Sequence, residues 1–216
     1  MNVKLKYLYK NMNTYFIIPA RKNSKGFTYK NRFLFENLPL ELKDKNTIVT
    51  SDDEVIEKMN QQLYNFNFLK RPSHLSEDTT SIKPVLEHIV SEYNLHPEDN
   101  LVILYLTYPE RTYDDIEKIL SFYHHWEGKS LLCKEPLKQH PYLCFYDKGI
   151  YGERIVDHNM YRRQDYPKCF FGSHYVAIVK VKFLPLVDLN LYSKETLFYD
   201  LQEHKIDVDN KSDLPL

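Results

Sequence analysis

The 216 residues carry 29 Lys plus Arg against 30 Asp plus Glu, so bulk charge argues against a nucleic-acid-coating protein, and any anion site must come from local clustering. At 43% hydrophobic and 14% aromatic the chain is not disordered, and its length suits a single domain over residues 1–216 with a full core. Cys133, Cys144 and Cys169 are scattered and form no CxxC pair, which argues against a disulfide framework or a structural zinc site.

The opening MNVKLKYLYKNMN lacks a long apolar core and a small-residue cleavage step, and no later stretch reaches the length of a membrane span. The expected setting is cytoplasmic. YFIIP at 15–19 then reads as a buried strand, followed by a loop that crowds Arg21, Lys22 and Lys25 around Asn23, Ser24 and Gly26. Ligands of an open parallel sheet lie beyond the carboxyl ends of its strands. Small residues that expose backbone N–H groups, set among cations at that edge, fit a polyphosphate. By itself the loop reads equally as a solvated basic turn, because its spacing is neither a Walker A loop nor GxGxxG.

TIVTS at 47–51 is the next strand, and DDEVIEKMNQQLYN from 52 a helix capped by Asp53, with Val55, Ile56, Met59 and Leu63 on one face. NFNFL at 65–69 is a third strand. SIKPVLEHIVSEYN from 81 sets Val85, Leu86, Ile89 and Val90 on a helical stripe, with Pro84 in the first turn. LVILYL at 101–106, a helix from Thr112 burying Ile116, Ile119, Leu120 and Tyr123, SLLC at 130–133 and YVAIVKV at 175–181 complete the alternation. Strands and helices alternating at these lengths predict an α/β fold, a three-layer α/β/α sandwich around a mostly parallel sheet. Residues 134–174 interrupt the pattern with prolines, aromatics, an RRQD cluster and a DKG hairpin signal, which reads as a protruding arm for subunit contact.

IIPARKNSKGFTYKN at 17–31 resembles the IPAR-x-x-SKG-x-x-x-KN signature of the acylneuraminate cytidylyltransferases, the synthetases of CMP-sialic acid and of other nonulosonic acids. Further blocks follow in that family's order: VTSDDEVI from 49, RPSHLSEDTTS from 71, LVILYLTYPERTYDDI from 101, QHPY from 139, RRQDYP from 162 and KIDVDNKSDL from 205. The resemblance spans residues 15 to 214. It implies a Rossmann-like nucleotide-diphospho-sugar transferase fold, and an enzyme joining CMP from CTP to the anomeric hydroxyl of a sugar acid with Mg2+ and release of pyrophosphate.

Residue by residue, the resemblance implies that Arg21, Lys25 and Lys30 meet phosphate charge as catalytic groups. Ala20, Ser24, Gly26 and Asn31 shape the triphosphate loop, and Arg71, Thr80 and Ser81 recognise the cytosine and nearby phosphate. Asp207 and Asp209 match the metal pair; alternation along a strand would set both carboxylates on one face, ready to share a hard cation with phosphate oxygens. Tyr105, Ser173, Arg163 and Gln164 fall at acceptor-site positions, the last two on an arm that reaches a carboxylate in a neighbouring subunit, so a homodimer is expected. His140 of the QHPY block either orients a loop or fills space.

Three departures separate the chain from the pattern. The family's Gln-Pro-Thr-Ser-Pro stands here as Tyr105-Leu106-Thr107-Tyr108-Pro109; its Asn-Gly-Ala-x-Tyr aligns with Ser173-His174-Tyr175-Val176-Ala177; and fifteen residues, 32–46, lie where a longer segment is usual. Phosphate and metal blocks persist while acceptor blocks drift. The expected substrates are CTP and a small acidic sugar, with no nucleic acid and no membrane. The alternatives are a cytidylyltransferase for another acidic or phosphorylated acceptor, and a non-catalytic nucleotide-binding relative.

Overall fold

The structure, a computed structural model, describes residues 12–24 and 27–214. β1 (Thr14–Pro19) pairs in parallel with β2 (Asn46–Ser51) on one side and β4 (Asn100–Ile103) on the other, and β3 (Asn67–Lys70) extends the sheet beyond β2. β8 (Phe171–Lys180) lies antiparallel between β4 and β5 (Ser130–Glu135), and β9 (Leu197–Asp200) closes the far edge in parallel with β5. The strand order is therefore β3-β2-β1-β4-β8-β5-β9. This is a mixed, mostly parallel sheet.

Central strands are apolar on both faces because helices cover both. Phe16, Ile18, Val49 and Val102 enter one buried cluster, and Ile17, Ile48, Leu101 and Ile103 the other. Two helices start where the sequence supplies a side-chain cap. α2 (Glu54–Leu63) opens at Asp53, whose carboxylate accepts from the Val55 N–H, and α4 (Tyr113–His125) opens at a reciprocal capping box of Thr112 and Asp115. α3 (Ile82–Glu92) buries Val85, Leu86 and Ile89.

Several local expectations are corrected. In α2 only Ile56 and Asn60 are buried, while Val55 and Leu63, at its two ends, are exposed. The short 32–46 segment forms α1 (Lys30–Leu34) and two 3-10 turns, which bury Leu34, Phe35, Leu38 and Leu42 against the core in place of a longer helix. β4 stops at Ile103, so 104–108 is a loop, and β9 was not anticipated. Residues 205–209 are not a strand, although the intended alternation survives: Val208 is buried between exposed Asp207 and Asp209 because its N–H donates to Thr107 O at 2.8 Å.

The excursion leaves β5 after Glu135 and rejoins at Phe171, which pair with one another. Within it β6 (Phe145–Lys148) and β7 (Tyr151–Arg154) form a separate hairpin. Its loop is Gly149-Ile150, with Gly149 at φ +79°, a conformation that a type II′ hairpin asks of its first central residue. Among the described residues no helix is long and apolar enough to cross a membrane.

Candidate active site

The strand order reverses at β1 and β4, and the crevice beyond their carboxyl ends is where a doubly wound sheet receives ligands. A cleft of about 290 Å3 opens there. Its walls come from the loop after β1 (Arg21, Ser24), from Lys30 and Asn31 of α1, and from Arg71 after β3. Thr80, Ser81 and the start of α3, together with Tyr105 to Thr107 after β4, complete them. Residues expected from three separate blocks of the sequence, those starting at 17, 71 and 101, thus share one space. Lys25 and Gly26 lie outside the described residues.

Each cation is aimed by a specific tie. Arg21 donates to Asp78, which holds the guanidinium at the mouth, and its carbonyl accepts from Asn31 Nδ2 at 2.8 Å. The loop is further anchored where Asp52 Oδ1 accepts from the Lys22 N–H at 2.7 Å. Lys30 is buried and sends its ammonium to Val208 O at 2.7 Å and Asp209 Oδ1 at 3.1 Å. Arg71 is also buried, with Nη2 on Thr50 O at 3.0 Å and Nε left without a partner. Burial lowers its pKa to about 10, against the pull of Asp52. An arginine so desolvated gains from an incoming anion. Ala20 sits behind the cleft with its N–H on Thr50 O and its carbonyl accepting from Ser51 Oγ, a structural contact beneath the loop. Thr80 spends its hydroxyl on His74 O at 3.1 Å.

The acidic pair does not line the cleft but meets its wall through Lys30 and Thr107, the latter accepting from the Val208 N–H. Asp207 accepts from Tyr108 OH at 3.0 Å, and Asp209 from Lys30. Both are exposed hard-oxygen donors, and among the described residues no three His, Cys, Asp or Glu side chains gather into a ready-made metal site. Two carboxylates fit Mg2+, which binds through one or two carboxylates and completes its shell with substrate phosphates and water.

The acceptor-side residues divide. Tyr105 lines the cleft and packs edge-on to His174 at 5.8 Å. Ser173 is buried outside the cleft lining, 3.3 Å from Tyr108 OH and accepting from the Tyr175 N–H at 3.3 Å. Arg163 and Gln164 occupy an exposed 3-10 turn on the arm and do not line the cleft. His140 orients a loop: its Nδ1 accepts from the Tyr142 N–H at 3.2 Å as cap of a 3-10 turn.

Along its whole length the chain has relatives among characterised proteins. It is 26% identical over 216 residues to post-translational flagellin modification protein B of Campylobacter coli, covering 92% of this chain and 91% of the relative. It is 25% identical over 213 residues to an N-acylneuraminate cytidylyltransferase of Streptococcus agalactiae serotype III, covering 91% of this chain and 50% of that enzyme. The chain is a distant homologue of the acylneuraminate cytidylyltransferases. Its homologues are nucleotidyltransferases, and it spans half the length of the streptococcal ones. No protein-family model matches it. In fold it is similar to a CMP:2-keto-3-deoxy-manno-octonic acid synthetase solved with CTP, at a TM-score of 0.62 and 12% identity over 93% of this chain and 94% of that one. It is likewise similar to a 4-diphosphocytidyl-2C-methyl-D-erythritol synthase of Anaerococcus prevotii, with a TM-score of 0.58 and 11% identity over 94% and 95%.

Sequence reasoning passed over two residues that build this edge. Arg111 is buried, with Nη1 on Tyr175 O at 2.7 Å and Nη2 on Tyr105 O at 2.9 Å, so one guanidinium clamps the loop after β4 to β8. Burial lowers its pKa to about 10. The Glu110-Arg111-Thr112 step of the block from 101 marked its position without a role. Tyr108 stands in the altered Thr-Tyr-Pro segment, and nothing local signalled that its hydroxyl reaches a residue 99 positions away.

Proposed function

We propose that the chain transfers CMP from CTP to the anomeric hydroxyl of a nonulosonic, sialic-like acid, releasing pyrophosphate, in the cytoplasm and as a homodimer paired through its arm. The observation that carries this reading is the Lys30 ammonium of the cleft wall, bonded at once to Val208 O and Asp209 Oδ1, so that the acidic segment sits beside the cleft. In the reaction a bond forms between the acceptor hydroxyl and the α-phosphorus, and the bond to the bridging oxygen of the β-phosphate breaks. Pyrophosphate leaves with the released charge. Arg21 and Lys30 are directed at that charge, and Arg71 with Thr80 and Ser81 holds the nucleotide from the α3 side. Asp207 and Asp209 would hold Mg2+, which when bound screens phosphate charge and polarises the α-phosphate.

A second acceptor class is favoured by one observation. Tyr105 turns an aromatic ring toward His174, and Ser173 is occupied by Tyr108, so the acceptor wall is built differently from the resembling pattern. Pyrophosphate release from CTP and Mg2+ with a panel of nonulosonic acids, shorter 2-keto sugar acids and phosphorylated sugars tests both readings. Turnover of a nonulosonic acid is the expected result. Turnover of only another acidic acceptor would replace that substrate, and CTP binding without turnover of any acid would reject transfer altogether.

A further inference from the structure

The two carboxylates of the proposed cation pair are held by unlike means. Asp209 is exposed over 76% of its side chain and is met by a charge, Lys30. Asp207 is met by a neutral hydroxyl that belongs to the core. Tyr108 is buried, its ring edge-on to Tyr175 at 5.4 Å and 82°. Its oxygen lies 3.0 Å from Asp207 Oδ2 and 3.3 Å from Ser173 Oγ, and Ser173 Oγ in turn accepts from the Tyr175 N–H at 3.3 Å.

Donor and acceptor roles in this chain run one way. A peptide N–H only donates, so Ser173 Oγ accepts from it and keeps its own proton to give. A carboxylate only accepts, so Tyr108 must give its proton to Asp207 and is left to receive the serine's. The sequence Tyr175 N–H, Ser173 O–H, Tyr108 O–H, Asp207 therefore satisfies every member. The backbone fixes the same approach, since the Val208 N–H donates to Thr107 O next to Tyr108.

We infer that Tyr108 is a positioning residue: with Ser173 behind it, its hydroxyl fixes Oδ2 of Asp207 so that the carboxylate anchors a divalent cation, while Asp209 exchanges between Lys30 and that cation. The inference rests on the proposed cation role of the two aspartates. A neutral donor suits this purpose because it orients the carboxylate without cancelling the charge that binds the metal. An ammonium does the reverse, and Asp209, held by one, is the ligand that must be released.

The test is Tyr108→Phe, which keeps the ring on Tyr175 and removes only the hydroxyl, with Ser173→Ala as a milder cut one step back. Free Mn2+ is counted by its electron paramagnetic resonance signal in the presence of CTP. Metal-free CTP binding is measured by calorimetry and folding by the urea midpoint. Loss of such an orienting partner weakens metal binding about 10- to 100-fold. The expected result for Y108F is that loss, with metal-free CTP binding and folding retained and with excess Mg2+ restoring whatever turnover the wild type has. S173A should lose several-fold in Mn2+ affinity, and it decides the matter alone if Y108F does not fold. Wild-type Mn2+ affinity in the folded variants, or no Mn2+ uptake by the wild type with CTP, overturns the inference. Mn2+ uptake that depends on Tyr108 in a protein that turns over no acid would leave the positioning role standing and reject the transfer reading instead.

Discussion

The cleft and the arm draw on the same stock of aromatic and basic residues and hold them in opposite ways. At the cleft the ties run into the sheet and the loops beside it: Lys30 reaches Val208, Arg71 reaches Thr50, and Arg111 reaches Tyr175. In the arm they close on the arm itself, as where His140 Nε2 meets Pro167 O at 3.0 Å. His140 and His158 each accept at Nδ1 from the peptide two residues on, and Arg162 pairs with Asp165. The rings of His140, Tyr142, His158 and Tyr166 pack on one another, the closest centroids 4.3 Å apart. The arm meanwhile leaves Ile150 91% and Tyr161 96% exposed. Ties into the sheet make the cleft's geometry as stable as the sheet, because moving a cation there means breaking core backbone contacts. Ties within the arm give it a shape of its own and leave its apolar surface for something outside the fold to cover.

This contrast can be broken at its strongest point first. Lys30→Met removes the side chain that ties α1 to Asp209. It should lower kcat/KM for pyrophosphate release by about 10³-fold, with a loss of about 1–3 kcal/mol in urea unfolding because the Val208 carbonyl loses its donor. An active K30M would mean that the bridge is packing and nothing more.

Arg111→Ala comes next. It strips two buried carbonyls of their donor, for a loss of about 2–4 kcal/mol in urea unfolding. A loss below about 0.5 kcal/mol, the scale of an ordinary surface change, would show that the loop after β4 is held by other contacts. The smallest change in stability is expected in the arm. Ile150→Asp with Tyr161→Asp should move the unfolding free energy by less than about 0.5 kcal/mol. The same pair should halve the mass seen by light scattering. An unchanged mass would remove the arm from the proposed subunit contact.

The same division governs how much could be read from the amino acids. Helix starts at Asp53 and Thr112 were legible because a cap is a contact between residues two or three apart. The hairpin at Gly149 was legible because its turn is set by two residues. Lys25 and Gly26, singled out in the loop, lie outside the described residues. The antiparallel direction of β8 left no such mark, since a buried strand reads the same apolar run in either direction. The pair at Asp207 and Asp209 was found by its motif, but the expected strand is absent because Val208 bonds to a loop peptide and not to a neighbouring strand.

By itself the amino-acid sequence determined the alternation of strands and helices, the caps, the arm as an interruption, and the order of the blocks that resemble the cytidylyltransferases. All of these rest on short-range chemistry or on matching order along the chain. Only the tertiary structure decided that Lys30 meets Asp209, that Arg111 clamps the loop after β4, and that the Tyr108 hydroxyl donates to Asp207. Those contacts join residues 64 to 179 positions apart. No local pattern encodes them, because a hydrogen bond's partner is chosen by where the sheet brings the chain back, and not by what stands beside it in sequence.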